Sequence, residues 1–194
     1  MSTLVGWGMI IRLIPLVVLL LTGINVVNAQ SKTPFVSDDF EVPLLYETSE
    51  YRFRMLSVDD VDKDYDAVMS SANHLKDVWP DSGWPGELTL EQNFSDLDRH
   101  QKEFLSRIAF AYTVVSLDES QVIGCLYINP TSKRGHDAEV YFWARESELK
   151  NGLDERLYEG VKDWLVAKWP FENPAMPGRE ISWSDWNQLP EESH

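Results

Sequence analysis

The sequence has a single cysteine among its 194 residues and few basic residues. One cysteine cannot form an intramolecular disulfide, and Cys125 lies in the apolar run 122–128, where a buried and unreactive thiol is expected. Lysine and arginine number 17 against 32 aspartates and glutamates, which gives a net charge of −15. A nucleic-acid partner is disfavoured, because neutralising phosphates needs a basic surface. A cationic partner or substrate is favoured electrostatically.

Metal-ligand patterns are missing as well. The four histidines share no ligand spacing, so no metal site is predicted at His74, His100, His136 or His194. Three aspartates alternate as in a calcium loop, but Ala67 stands where that loop requires glycine. We therefore predict that Asp62, Asp64 and Asp66 lie on a solvated helix face.

The first 29 residues differ in composition from the rest. Residues 1–29 contain no acidic residue, carry Arg12 and run apolar from Leu13 to Val27. The run is short for a membrane-spanning helix, so a signal peptide cleaved before Gln30 is predicted. An uncleaved membrane anchor and a start codon placed too early are the alternatives. A functional signal predicts a secreted or periplasmic protein, and without it the protein would be cytoplasmic.

The remaining chain is predicted to form one globular domain at residues 51–190, after a leader at residues 30–50. The apolar share of 43% and the aromatic share of 12% are typical of a protein with a real core. Apolar periodicity predicts an α/β (α+β) domain in the order β-α-α-β-β-β-α-β. The predicted strands are 51–56, 112–117, 122–128, 138–144 and 179–184.

Three helices complete this order. Ser57 and two acidic residues open the first helix, and Thr89–Gln92 has the form of a capping box for the second. The third helix begins near Leu153 after Gly152 and ends near Trp169. The tryptophans that lie in connections are expected to dock on the core or to rim a pocket: Trp79, Trp84, Trp183 and Trp186.

The order of elements resembles the GNAT superfamily of N-acetyltransferases over roughly residues 51–183. The resemblance rests on the first strand, the two helices, the hairpin 112–128, the run Ala138-Glu139-Val140-Tyr141-Phe142-Trp143-Ala144 and the helix start Gly152-Leu153. It implies a central mixed, mostly antiparallel sheet flanked by helices, with acetyl-CoA as co-substrate. It further implies that backbone at Phe142, Trp143, Ala144 and Arg145 faces pantetheine, and that Lys150, Asn151, Gly152 and Leu153 face pyrophosphate.

The phosphate loop departs from the family pattern. Leu149 stands where the family has Arg or Gln, and Asp154 stands where a small residue is usual. A carboxylate there repels phosphate, although Asp154 is also a candidate N-cap of its own helix. Arg145, Lys150 and Arg156 are expected to offset part of this repulsion.

The resemblance also implies a catalytic base on the third or a neighbouring strand. Glu139 is the candidate, because strand alternation puts it on the same face as Tyr141. A solvated glutamate at a strand edge is the alternative. The family's tyrosine acid lies beyond the end of this domain, and Tyr158 is expected to line the core or groove instead.

Two functions follow from these residues. The first is an N-acyltransferase that passes an acetyl group from acetyl-CoA to an amine of a small molecule or peptide. The second is a catalytically inactive GNAT-like binding or interaction module of the cell envelope. Membrane contact is expected only through residues 1–29 if they stay uncleaved, and a homodimer that completes the short C-terminal part is left open.

Overall fold

The structure, a computed structural model, describes residues 34–192. The predicted signal or anchor segment 1–29 therefore lies outside the described residues. Within 34–192, no helix is both long enough and apolar enough to cross a membrane.

A six-stranded sheet organises the domain, with its strands arranged in the same order in space as in the chain. Neighbours pair antiparallel throughout, except for the parallel pair at the end of the sheet. This agrees with the predicted mixed, mostly antiparallel sheet. The strands are β1 (Leu45–Glu47), β2 (Tyr51–Met55), β3 (Phe110–Ser116), β4 (Val122–Asn129), β5 (Ala138–Ala144) and β6 (Pro174–Ala175).

Helices cover both faces of this sheet. They are α1 (Val61–Ser70), α2 (Ala72–Leu75), α3 (Leu90–Leu105), α4 (Glu146–Leu149), α5 (Leu153–Lys168) and α6 (Trp183–Gln188), with a short 3-10 turn at Val58–Asp60. The capping box that the sequence predicts is confirmed: the Gln92 N–H donates to Thr89 Oγ1 at 3.2 Å, and the Thr89 N–H donates to Gln92 Oε1 at 2.8 Å.

Strand alternation divides the core into two clusters. The larger cluster lies between the sheet and α5, and includes Leu126, Phe142 and Trp164. The smaller cluster lies under α1 and the first half of α3, and includes Cys125 and Trp143. Cys125 is fully buried, and burial raises the pKa of its thiol, in agreement with the unreactive thiol predicted.

Gly124 lets β4 and β5 approach closely. A Cβ atom at this position would lie 2.3 Å from the Trp143 carbonyl oxygen, well inside van der Waals contact. The glycine therefore fixes the position of β5 relative to β4.

Two predicted segments differ from the structure. The leader predicted at residues 30–50 contains β1, and Tyr46 packs on Phe53 with ring centroids 5.3 Å apart. The predicted last strand 179–184 is wrong, since the strand is Pro174–Ala175. Ser182 caps α6 instead, because its Oγ accepts from the Asp185 N–H at 3.1 Å.

Candidate functional site

A cleft opens where β5 separates from β6. The two strands pair only at Ala138 with Pro174 and at Glu139 with Ala175. Beyond Glu139, the edge of β5 has no partner strand, and alternation turns the peptide groups of Phe142 toward that edge. The cleft has a volume of about 180 Å³, which is small for a cofactor-sized ligand.

Arg179 occupies this cleft. Its guanidinium lies 3.8 Å from the centre of the Phe142 ring and donates to the Phe142 carbonyl at 3.3 Å. The same guanidinium holds both oxygens of Asp154, at 2.7 and 2.9 Å. The carbonyl predicted to meet pantetheine and the carboxylate at the start of α5 are thus joined by one arginine.

The start of α5 differs from the prediction in one respect. Gly152, in a left-handed conformation with φ of 74°, is the N-cap, so the alternative N-cap role predicted for Asp154 is wrong. The N–H groups of Asn151 and Gly152 donate to carbonyls of the preceding turn, at 3.1 and 2.9 Å. The N–H groups of residues 153–155 open the helix and have no acceptor within it.

The residues predicted to face acetyl-CoA divide between two places. Phe142, Trp143 and Ala144 are buried on the open strand β5. Arg145 and Lys150 line a separate groove on the surface, and Arg145 is paired with Asp66 at 2.6 Å. The cation in the cleft is Arg179, which the sequence predicts in a strand. No pattern of residues around Arg179 indicates this role.

The predicted base lies at the apex of the cleft. Glu139 is the last residue of β5 that still pairs with β6, and it shares a face with Tyr141 as predicted. Burial raises the pKa of Glu139 above its ordinary value. On the same face, the Tyr141 ring stacks on Trp183 with centroids 5.8 Å apart and planes 5° from parallel.

A second cavity, of about 250 Å³, lies on the α1 and α3 side of the sheet. Asp64 lines it and is 5% exposed, so the solvated position predicted for this residue is wrong. Its Oδ2 accepts from Asn93 Nδ2 at 2.9 Å. Burial raises the pKa of Asp64 to about 6, with a further contribution from the negative charges of Asp60 and Asp96. The spacing of Asp64 between Val61 and Val68 on the buried stripe was the signal for this position.

Aromatic rings form much of the wall of this cavity. Trp79 is central, with its ring centroid 5.2 Å from that of Trp84 and 5.6 Å from those of Tyr127 and Tyr141. The prediction that Trp79 and Trp84 rim a pocket agrees with this arrangement. Tyr141 also lines the cleft, so one ring separates the two hollows.

The sequence matches no known family model and no curated protein. The structure does resemble solved acetyltransferases. A ribosomal-protein alanine acetyltransferase from Vibrio fischeri has a TM-score of 0.52 and 18% identity, over 63% of this chain and 67% of the other. A probable acetyltransferase has a TM-score of 0.56 and 10% identity, over 68% and 72% of the two chains. The fold is GNAT-like.

A ribosomal α-N-protein acetyltransferase in complex with coenzyme A is also similar, with a TM-score of 0.46 and 16% identity over 63% of this chain and 66% of that one. The two matches with TM-scores above 0.5 confirm the fold predicted from the order of elements, at a sequence identity too low to carry the activity across. In this GNAT-like fold, the cleft lies between β5 and β6 and beside the start of α5.

Proposed function

We propose that the protein is an N-acyltransferase that transfers the acetyl group of acetyl-CoA to an amine of a small molecule or peptide. The observation that carries this proposal is the unpaired edge of β5 beside the first turn of α5. The Phe142 carbonyl suits a pantetheine amide, and the N–H groups of residues 153–155 suit a pyrophosphate.

Binding in this cleft requires Arg179 to leave the Phe142 carbonyl. The Arg179–Asp154 pair is about one-third exposed, with 27% and 32% of the two side chains accessible, so breaking it costs only about 1 kcal/mol. A pyrophosphate competes with Asp154 for the same guanidinium, because arginine binds phosphate in the same bidentate way as carboxylate. Arg179 would then exchange a carboxylate for a phosphate.

The acyl transfer uses groups at the apex of the cleft. The neutral amine nitrogen attacks the thioester carbonyl carbon, and the new C–N bond forms as the C–S bond breaks. Coenzyme A leaves as a thiolate, which then takes up a proton from Glu139 or from water. Glu139 accepts the amine proton directly or through water, and burial, which raises its pKa, makes its carboxylate a stronger base than that of an exposed glutamate. A backbone N–H of β5 would polarise the carbonyl.

Isothermal titration of the full-length chain with acetyl-CoA tests the proposal. We expect measurable binding, and an affinity about tenfold higher for Asp154→Asn, because the substitution removes a negative charge and releases Arg179. Glu155→Gln is the matched control, since it removes the same charge from the same helical turn without touching Arg179. The gain in acetyl-CoA affinity should be smaller for Glu155→Gln than for Asp154→Asn.

The closed state of the cleft favours a second candidate, a GNAT-like module of the cell envelope that binds a partner and catalyses nothing. Export by the segment 1–29 would remove the protein from cytoplasmic acetyl-CoA, and that export is itself a proposal. No heat of binding at millimolar acetyl-CoA, for the natural chain and for Asp154→Asn alike, would reject the enzyme and support this candidate.

A further inference from the structure

The carboxylate in the second cavity lacks a cationic partner among residues 34–192. Only Asn93 donates a hydrogen bond to Asp64 there. Asp60, one turn earlier and also buried, is paired with Arg54 at 2.6 Å and with Lys63 at 2.9 Å. A buried carboxylate is costly unless a positive charge compensates it. Asp60 has such compensation from Arg54 and Lys63, whereas no described cation compensates Asp64.

The cations near the cavity are not available to Asp64. Arg99 lines the cavity but pairs with Asp96 at 3.3 Å and with Glu103 at 3.2 Å. His100 also lines it, and burial lowers the pKa of that imidazole, which favours its neutral form at neutral pH. The described side chains near the cavity therefore leave the charge of the ionised Asp64 carboxylate without a cationic partner.

The walls of the cavity indicate which kind of cation fits. Aromatic faces attract organic ammonium groups, and a carboxylate beside them supplies the counter-charge. Calcium and magnesium need six or more oxygen ligands, whereas the described part of the chain has no cluster of three acidic, histidine or cysteine side chains suited to a metal ion. A carboxylate beside aromatic rings therefore suits an organic ammonium group better than a metal ion.

We propose that this cavity binds the primary ammonium group of an organic amine, with Asp64 as counter-ion and Trp79, Trp84 and Tyr127 as walls. Its role as the acyl-acceptor site rests on the proposed function, because Tyr141 lines both this cavity and the cleft. In that role the bound ammonium loses one proton to solvent before its nitrogen attacks, and Glu139 takes the second proton during acyl transfer. The binding of the cation itself does not depend on acetyl-CoA.

Titration of the full-length chain with butylammonium at about pH 7.5, without acetyl-CoA, tests this site. Calorimetry gives the affinity, and tryptophan fluorescence reports on Trp79 and Trp84. We expect saturable binding of butylammonium, a response to butan-1-ol weaker by about tenfold or more, and a similar loss in Asp64→Asn. Asn at this position still accepts from Asn93, so the variant removes the charge and keeps the hydrogen bond.

Asp62→Asn is the matched control, because it removes one exposed charge from the same helix and should bind as the natural chain does. Equal binding of butan-1-ol, or equal affinity of Asp64→Asn and Asp62→Asn, would overturn the proposal. Butylammonium binding without acetyl-CoA binding would support the site and reject the acyltransferase. Acetyl-CoA binding without butylammonium binding would reject the ammonium site and support the acyltransferase.

A pH series on the natural chain tests the same charge without a substitution. Affinity should fall about tenfold between pH 7.5 and pH 5, since Asp64 becomes protonated while the alkylammonium stays charged. The other titratable and charged groups around the carboxylate are Asp60, Asp96, Arg99, His100, Cys125, Tyr127 and Tyr141. Of these, protonation of His100 acts in the same direction, and an affinity that does not change over this range would contradict the proposal.

Discussion

The cleft and the cavity each contain an aspartate from a flanking helix, but the two carboxylates are satisfied differently. Asp154 holds Arg179 in the cleft, and the pair is partly open to solvent. Asp64 is buried in the cavity and receives one hydrogen bond from an uncharged amide. The cleft is closed by a pair within the chain, whereas the cavity contains a charge that no described side chain balances. An anionic ligand in the cleft must therefore displace Asp154 from Arg179. A cationic ligand in the cavity would instead give Asp64 the partner that it lacks.

The largest expected effect comes from removing the unbalanced charge. Burial lifts the pKa of Asp64 from 3.8 to about 6. Because the folded-state pKa is raised, the ionised carboxylate destabilises the fold fully above pH 6 and not at all below pH 3.8. Asp64→Asn should therefore raise the free energy of unfolding by about 3 kcal/mol at pH 7.5. Urea unfolding at pH 7.5 and at pH 4 would show a gain at the first pH that nearly disappears at the second.

Asp60→Asn is the counterpart and should have the opposite sign. Burial acts to raise the pKa of Asp60, but hydrogen bonds from Arg54 and Lys63 outweigh it and lower the pKa. The stabilisation is present at neutral pH and lost as pH falls, so this variant should lose about 2 kcal/mol at pH 7.5. If Asp64→Asn and Asp60→Asn both lose stability in urea unfolding, then a positive charge compensates Asp64 as well. The comparison between cleft and cavity would then fail.

The next largest effect is a loss of stability from moving β5, the strand that lines both the cleft and the cavity. In Gly124→Ala, the new methyl group meets the Trp143 carbonyl at 2.3 Å, which forces β5 away from β4. We expect a loss of about 2 kcal/mol in the free energy of unfolding, measured with urea. Gly135→Ala, which has open space but a φ of +84°, should lose about 1 kcal/mol through backbone strain alone. Equal losses would indicate that the contact with Trp143 is relieved without cost.

The smallest expected effect is on butylammonium affinity, and it distinguishes tryptophans in the wall of the cavity from those in the other core cluster. Trp84→Phe keeps an aromatic ring but weakens the attraction for a cation, so butylammonium affinity should fall about threefold. Trp169→Phe, in the other core cluster, should leave that affinity unchanged. Calorimetry on both variants at one pH measures the difference, and an equal fall in both would point to a loss of overall stability instead.

Local patterns predicted most of the fold. The capping box at Thr89, the three central strands and the helix after Gly152 depend on residues near one another in sequence, and the structure has each of them. The strand predicted at 179–184 was wrong, because residues that pair at a sheet edge are chosen by distant contacts rather than by alternation. β1 is only three residues long, so it carries no periodicity to detect.

The candidate sites were less predictable, for physical reasons. Asp64 was assigned to solvent because charged residues are seldom buried, and its burial depends on Asn93 from another helix, 29 positions away. Arg179 reaches Asp154 from 25 positions away, across a turn that the sequence did not predict. Glu139 was placed on the correct face because strand alternation alone determines it.

The Tyr141 ring is a wall common to both hollows, and this has a thermodynamic consequence. An occupant of the cleft that displaces this ring changes the shape of the cavity, and so changes the affinity of the cavity for its own ligand. The coupling between two binding equilibria is reciprocal, so an amine in the cavity must alter acetyl-CoA affinity by the same factor as acetyl-CoA alters amine affinity. A single aromatic side chain would thus couple the two binding equilibria.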